Sequence, residues 1–153
     1  MATELRAAST KLYDADFYVW AVEQAELLRA GRFDALDLDH LIEEVEGLAD
    51  TKLSAVLNSA RVVMEHLLKL QYSPASDPRN GWRASVREHR RRVETDLTPR
   101  IAQIVADELP RLYRMAREDA QAGMRDHGEH DAADALPETA PYGLDQVTGD
   151  WWP

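Results

Sequence analysis

The sequence predicts an all-α protein: an antiparallel helical bundle of four main helices with a C-terminal strap packed on it. Three observations carry that prediction. Apolar residues recur at the helical period of about 3.6 nearly everywhere, and no stretch alternates as a strand would. Long amphipathic segments are joined by short connections, which sets neighbouring helices antiparallel. With 153 residues and 44% hydrophobic content, the chain suits one compact domain over 1–153, burying about two-thirds of its unfolded surface. Within it, residues 1–12 read as an N-terminal tail and 124–153 as a loop and strap.

The first helix begins at Asp14 or Asp16 and ends at Ala30. Either aspartate can cap the open N–H groups and complement the helix dipole. Gly31 supplies a left-handed stop. Its buried seam is expected to be Phe17, Trp20, Ala21, Gln24, Leu27 and Leu28, with Gln24 as the polar exception.

The second helix starts at Asp37 or Leu38 and can run to Tyr72. One stripe continues through Leu38, Leu41, Ile42, Val45, Leu48, Leu53, Val56, Ala60, Val63, Leu67 and Leu70. No proline interrupts it, although Gly47 allows a kink and Asp50-Thr51 a break. Ser73 to Gly81 is turn-rich.

A third helix over 82–97 has a narrow seam of Trp82, Val86, His89, Val93 and Leu97. Thr98-Pro99 then restarts the chain with a capping hydroxyl and a first-turn proline. The fourth segment carries Ile101, Ile104, Val105, Leu109, Leu112, Ala116 and Ala120 across Pro110. An interior proline costs roughly 3 kcal/mol, so a kink or second start is expected there. Gly123 should close this helix, and the polar stretch 125–135 should be a mobile loop. The tail ends in Trp151-Trp152, which the fold would use to seal the bundle.

Composition narrows the function. Cysteine is absent and the formal charge is −10. Disulfides and thiolate metal sites are therefore excluded, and the net field opposes nucleic-acid phosphate and anionic lipid. No secretory leader or membrane span is read, so a cytoplasmic location is the expectation. No phosphate-binding glycine loop, nucleophile elbow or His-Glu-x-x-His zinc signature occurs, so no cofactor is assigned.

Four groups of residues are candidates for chemistry. Asp37, Asp39, His40, Glu43, Glu44 and Glu46 offer oxygen and imidazole ligands. A di-iron bundle, however, needs Glu-x-x-His pairs from two helices, and Val63 and Val86 stand where His66 and His89 would need glutamate. No metal site is assigned on this basis. Gln24, Glu46 and His89 fall within or beside apolar seams and are the candidate buried polar network, which either tunes a catalytic group or fixes helix register. Arg83, Arg87, Arg90 and Arg91 form a candidate basic patch for phosphate, or else a salt-bridged or solvated face. Trp151 and Trp152 can anchor a partner or close the fold.

The markers Leu12-Tyr13-Asp14, Asp16-Phe17-Tyr18, Trp20, Gln24-Ala25, Arg32-Phe33 and Leu36-Asp37 lead into His40-Leu41-Ile42-Glu43-Glu44. His66-Leu67-Leu68-Lys69, Gln71-Tyr72, Trp82, Ser85, His89-Arg90, Pro141-Tyr142 and Trp151-Trp152-Pro153 follow. Together they resemble a bacterial family, domain of unknown function 29. The resemblance spans almost the whole chain and implies a fold similar to a four-helix bundle. It carries no described activity, so no catalytic residue transfers. Among the markers, His40, Glu43, Glu44, His66, Lys69, Gln71 and His89 are polar beyond what packing demands. They form a candidate polar groove between the second and third helices.

The leading expectation is a non-enzymatic protein-interaction or scaffold module with a protein partner or self-association. The alternatives are a metal-binding or enzymatic bundle using second-helix His and Glu residues, and nucleic-acid binding through the arginine helix.

Overall fold

The computed structural model describes residues 1–153, with the side chains of all but Ala2, Thr3, Leu5 and Arg6. The protein is all-α, and no strand occurs among the described residues. Seven helices follow one another: α1 (Ala2–Ala15), α2 (Phe17–Arg29), α3 (Leu38–Tyr72), α4 (Arg79–Asp96), α5 (Pro99–Asp126), α6 (His130–Asp134) and α7 (Leu144–Thr148). A 3-10 turn at Phe33–Ala35 precedes α3. Two compact units divide the chain, Met1–Asp50 and Thr51–Pro153. No described helix is long and apolar enough to cross a membrane.

In the first unit, residues 1–12 are not a tail but most of α1. Their alanines, with Leu12, Lys11 and Glu4, are good helix formers, and no glycine or proline interrupts them. They lack a broad apolar stripe, which hides the helix from periodicity. Asp16 separates α1 from α2, and its carboxylate accepts the Val19 N–H at 3.1 Å. Gly31 has φ +67 and Gly128 φ +78, the left-handed stops after α2 and α5. Trp20 and Gln24 are buried as expected, whereas Phe17 and Leu28 remain about half exposed.

α3 runs 35 residues without a break at Gly47 or Asp50-Thr51. From Val56 onward its stripe is the spine of the second unit's core. Val63, Met64, Leu67 and Leu68 meet Val86 and Val93 of α4, and Val105, Leu112, Tyr113 and Ala116 of α5. Thr98 caps α5 by accepting the Ile101 N–H at 3.3 Å. Pro110 lies inside α5, and no second helix start occurs there. The proline lacks the N–H that would bond the carbonyl of Ala106, and both Ala106 and Pro110 are exposed residues.

Gly123 does not close α5, which continues to Asp126. The end is a Schellman motif: Gly128 N–H bonds Arg125 O and Glu129 N–H bonds Met124 O, both at 2.9 Å. The stretch expected as a mobile loop instead holds α6. Ala133 is fully buried, Gln121 donates to its carbonyl at 3.0 Å, and Arg125 pairs with Asp134 at 2.7 Å. Two small apolar residues, Ala133 in the core and Ala132 packed against it, dock so short a helix, and composition does not reveal it.

The strap is present and tied at several points. Tyr113 donates to Pro137 O at 2.6 Å, and Tyr142 and Val147 are buried in the core. Trp151 and Trp152 are half-buried against the same core.

Candidate functional site

In the first unit, the chain enters α3 through a polar knot centred on Asp37. Its backbone carbonyl accepts the Leu41 N–H at 3.0 Å, so Asp37 acts as the helix cap. The Asp37 N–H donates to Gln24 Oε1 at 2.8 Å, and Trp20 Nε1 donates to Asp37 Oδ2 at 3.2 Å. The same oxygen lies 2.7 Å from His40 Nδ1, so that nitrogen carries the proton it donates. Tyr13 stacks on the His40 ring at 3.8 Å, and its hydroxyl donates a hydrogen bond to Glu44 Oε1 at 2.5 Å. Trp20 packs edge-on against Tyr13.

The charges follow from these contacts. The hydrogen bond to Asp37 raises the pKa of His40 against the opposing effect of desolvation. Burial pushes Asp37 up, but hydrogen bonds from His40, Trp20 and Thr10 outweigh it and hold the carboxyl below its ordinary value. The Glu44 hydrogen bond pushes the Tyr13 phenol up to about 12. An imidazole oriented by a buried carboxylate is well placed to accept or give protons. Neither described cavity is lined by His40, however. The knot serves as a latch joining α1, α2 and the start of α3.

The acidic cluster divides accordingly. His40, Asp37 and Glu44 belong to the knot, while Glu43 and Glu46 are exposed. Among the described residues, no three His, Cys, Asp or Glu side chains stand where one metal ion could join them. The expected buried network also needs correction. Gln24 is buried, but Glu46 is exposed because the α3 stripe beside it is uncovered, and His89 belongs to the second unit. Gln24 Nε2 is buried and meets no partner among the described residues.

In the second unit, α3 and α4 exchange histidine–serine contacts. His89 Nδ1 lies 3.2 Å from Ser59 Oγ, and His66 Nδ1 lies 3.5 Å from Ser85 Oγ and 3.0 Å from Val62 O. Desolvation lowers the pKa of both imidazoles, favouring the neutral ring. Gln71 is exposed and accepts the Tyr142 hydroxyl at 3.0 Å, pinning the strap. Lys69 donates to Glu65 at 2.6 Å.

The basic patch separates in the same way. Arg83, Arg87 and Arg91 are exposed, but Arg90 is only 8% exposed. Its guanidinium donates to Gln146 O at 2.6 Å, Trp151 O at 2.7 Å and Val147 O at 3.1 Å. The Trp152 ring covers it at 5.1 Å, with Arg87 at 5.6 Å on the same ring. Arg90 is therefore the clasp of the strap. Its place four residues after Val86 and three before Val93 put it on the buried face of α4, a signal the sequence did hold.

Two cavities open in the second unit. One of about 590 Å³ is lined by Lys69, the 74–78 turn, Trp82 and the end of α5 with His127 and Glu129. The other, about 500 Å³, lies between Arg87, Arg91, Asp150 and Trp152. Sequence reasoning named Lys69 but not Glu129, which falls in the segment read as loop.

The family model for the domain of unknown function DUF29 matches residues 12–152. The chain belongs to that family. No curated protein and no solved structure matches it. The latch and the clasp account physically for many of the family-like markers, including Tyr13, Trp20, Gln24, Asp37, His40, Gln71, Arg90 and Trp151.

Proposed function

We propose that this member of the family is a non-enzymatic protein-interaction module that receives a basic amphipathic helix of a partner protein on its first unit. One observation carries the reading. Ile42, Val45 and Leu48 follow one another on the α3 stripe at helical spacing, yet they are 54%, 64% and 66% exposed. A contiguous exposed apolar row of this kind marks an interaction surface rather than scattered surface residues.

Charge selects the occupant. Residues 1–50 contain twelve Asp or Glu against four Lys or Arg, and Glu43, Glu46 and Asp50 are exposed near the row. A second copy would set acid against acid, a cost of recognition that a lysine-flanked helix avoids. The mode is an apolar helix face laid on an apolar row, read at three- and four-residue anchors.

The test uses two synthetic helical peptides with the same leucine stripe, one flanked by lysines and one by glutamates. The lysine peptide should bind, weaken with added salt, and lose binding to an Ile42→Ser/Val45→Ser/Leu48→Ser variant. Equal binding of the glutamate peptide, or unchanged binding to the variant, contradicts the reading. Sedimentation should find a monomer, and a dimer abolished by the same variant would replace the partner helix with a second copy.

A further inference from the structure

We infer that the larger cavity of the second unit is a binding site for a small organic amine, held by its ammonium group against Glu129 with its apolar body on Trp82. The cavity of about 590 Å³ lies within the size range of small-molecule sites, roughly 300–1,000 Å³. Its walls combine Trp82, Pro74 and Met124 with a few charged groups, the composition such sites share.

The charges inside set the sign of the ligand. Lys69 borders the cavity, but Glu65 already holds its ammonium at 2.6 Å. Gly123 makes that arrangement possible. A Cβ there would stand 3.0 Å from Lys69 Nζ and 3.3 Å from its Cε, so the lysine lies along bare α5 backbone. A glycine inside a helix costs about 1 kcal/mol relative to alanine, and here the space it opens is occupied by a charge drawn aside.

Glu129 is left without a countercharge. Its Oε2 is buried and meets no donor among the described residues. A buried acceptor without a partner is costly, the more so when charged, and turning the Glu129 carboxyl so that Oε2 meets a donor bound in the cavity removes that cost. Asp77 adds a second carboxylate to the lining. His127 Nδ1 donates to Gly123 O at 2.8 Å. With Lys69 paired to Glu65, the charged side chains that remain in the lining, Glu129 and Asp77, are carboxylates. An ammonium supplies donors to carboxylates, and the Trp82 face adds cation–π attraction.

The experiment compares three probes of one shape on the full chain by calorimetry: phenethylammonium, phenethyl alcohol and 3-phenylpropionate. Phenethylammonium should bind with Kd on the order of 1 mM or tighter, and the other two at least about tenfold more weakly. Glu129→Gln should abolish that preference, and Trp82→Leu should weaken all three probes. Comparable binding of the propionate, no amine binding up to about 10 mM, or a preference that survives Glu129→Gln overturns the assignment. The order of the probes on the unaltered protein tests it even if a variant fails to fold.

Discussion

In the second half of α3, Val56, Ala60, Val63 and Leu67 are at most 1% exposed, whereas Ile42, Val45 and Leu48 on the first half are 54–66% exposed. One helix and one apolar period thus produce two surfaces. The second half is covered because α4, α5 and the strap supply Val86, Val105, Tyr113 and Val147 around it. The first unit has α1, α2 and the 3-10 turn, and its buried centre among the described residues is small: Ser9, Trp20, Gln24, Ala35, Leu36 and Asp37. An amphipathic pattern shows that a face prefers to be covered, but it does not show what covers it.

Core substitutions should give the largest contrast. Leu67→Ala is expected to cost about 2–5 kcal/mol in urea unfolding, because it leaves a cavity in a packed core. Leu48→Ala on the same helix should change stability by no more than about 0.5 kcal/mol. Equal losses would mean that the first half of the stripe is also core.

Next in size is the strap. Arg90→Met removes three hydrogen bonds and leaves strap carbonyls without donors, an expected loss of about 2–4 kcal/mol by the usual cost of unmade buried bonds. Limited proteolysis should then cut between Pro137 and Trp152 well before the rest of the chain. A strap that stays protected would show that Tyr142 and Val147 hold it unaided.

The latch in the first unit should answer to Asp37→Asn. Without the carboxylate, the His40 imidazole loses the hydrogen bond that raises its pKa and should titrate at lower pH in proton NMR. Trp20 emission should change at the same time, since its indole donates to the same oxygen. Unaltered His40 titration would remove Asp37 as its orienting group.

The smallest effect is the dependence on pH, where the units oppose each other. His40 has a raised pKa, so its contribution is full below the ordinary histidine value of about 6.5 and fades as pH rises through the folded-state value. His66 and His89 have lowered pKa values, so the unfolded chain takes up protons first as pH falls below about 6.5. Their contribution is full above that value and fades towards the lower folded-state values. Acidification from neutrality should therefore loosen the second unit while firming the latch, as hydrogen exchange resolved by segment would record. Loosening of both units together would contradict these assignments.

Much of this architecture was legible from the residues. Helical periodicity gave α2 through α5, Asp16 and Thr98 announced their caps, and Gln24 stood out as a polar residue on a buried face. What stayed hidden has physical causes. α1 docks through Tyr13 near its end and α6 through alanines, so neither produces a stripe. Pro110 lies on the exposed face of α5, and the helix continues through it. Glu46 projected towards the stripe, but projection assumes the stripe is covered. That Glu65 holds Lys69 while Glu129 Oε2 meets no donor among the described residues is a relation between residues far apart in the chain.

The most direct measurement compares chemical unfolding and lysine-peptide binding of the unaltered chain with those of the Ile42→Ser/Val45→Ser/Leu48→Ser variant. The account predicts an unfolding midpoint that barely moves and peptide binding that disappears. A variant that unfolds as readily as Leu67→Ala, or still binds the peptide, would contradict it.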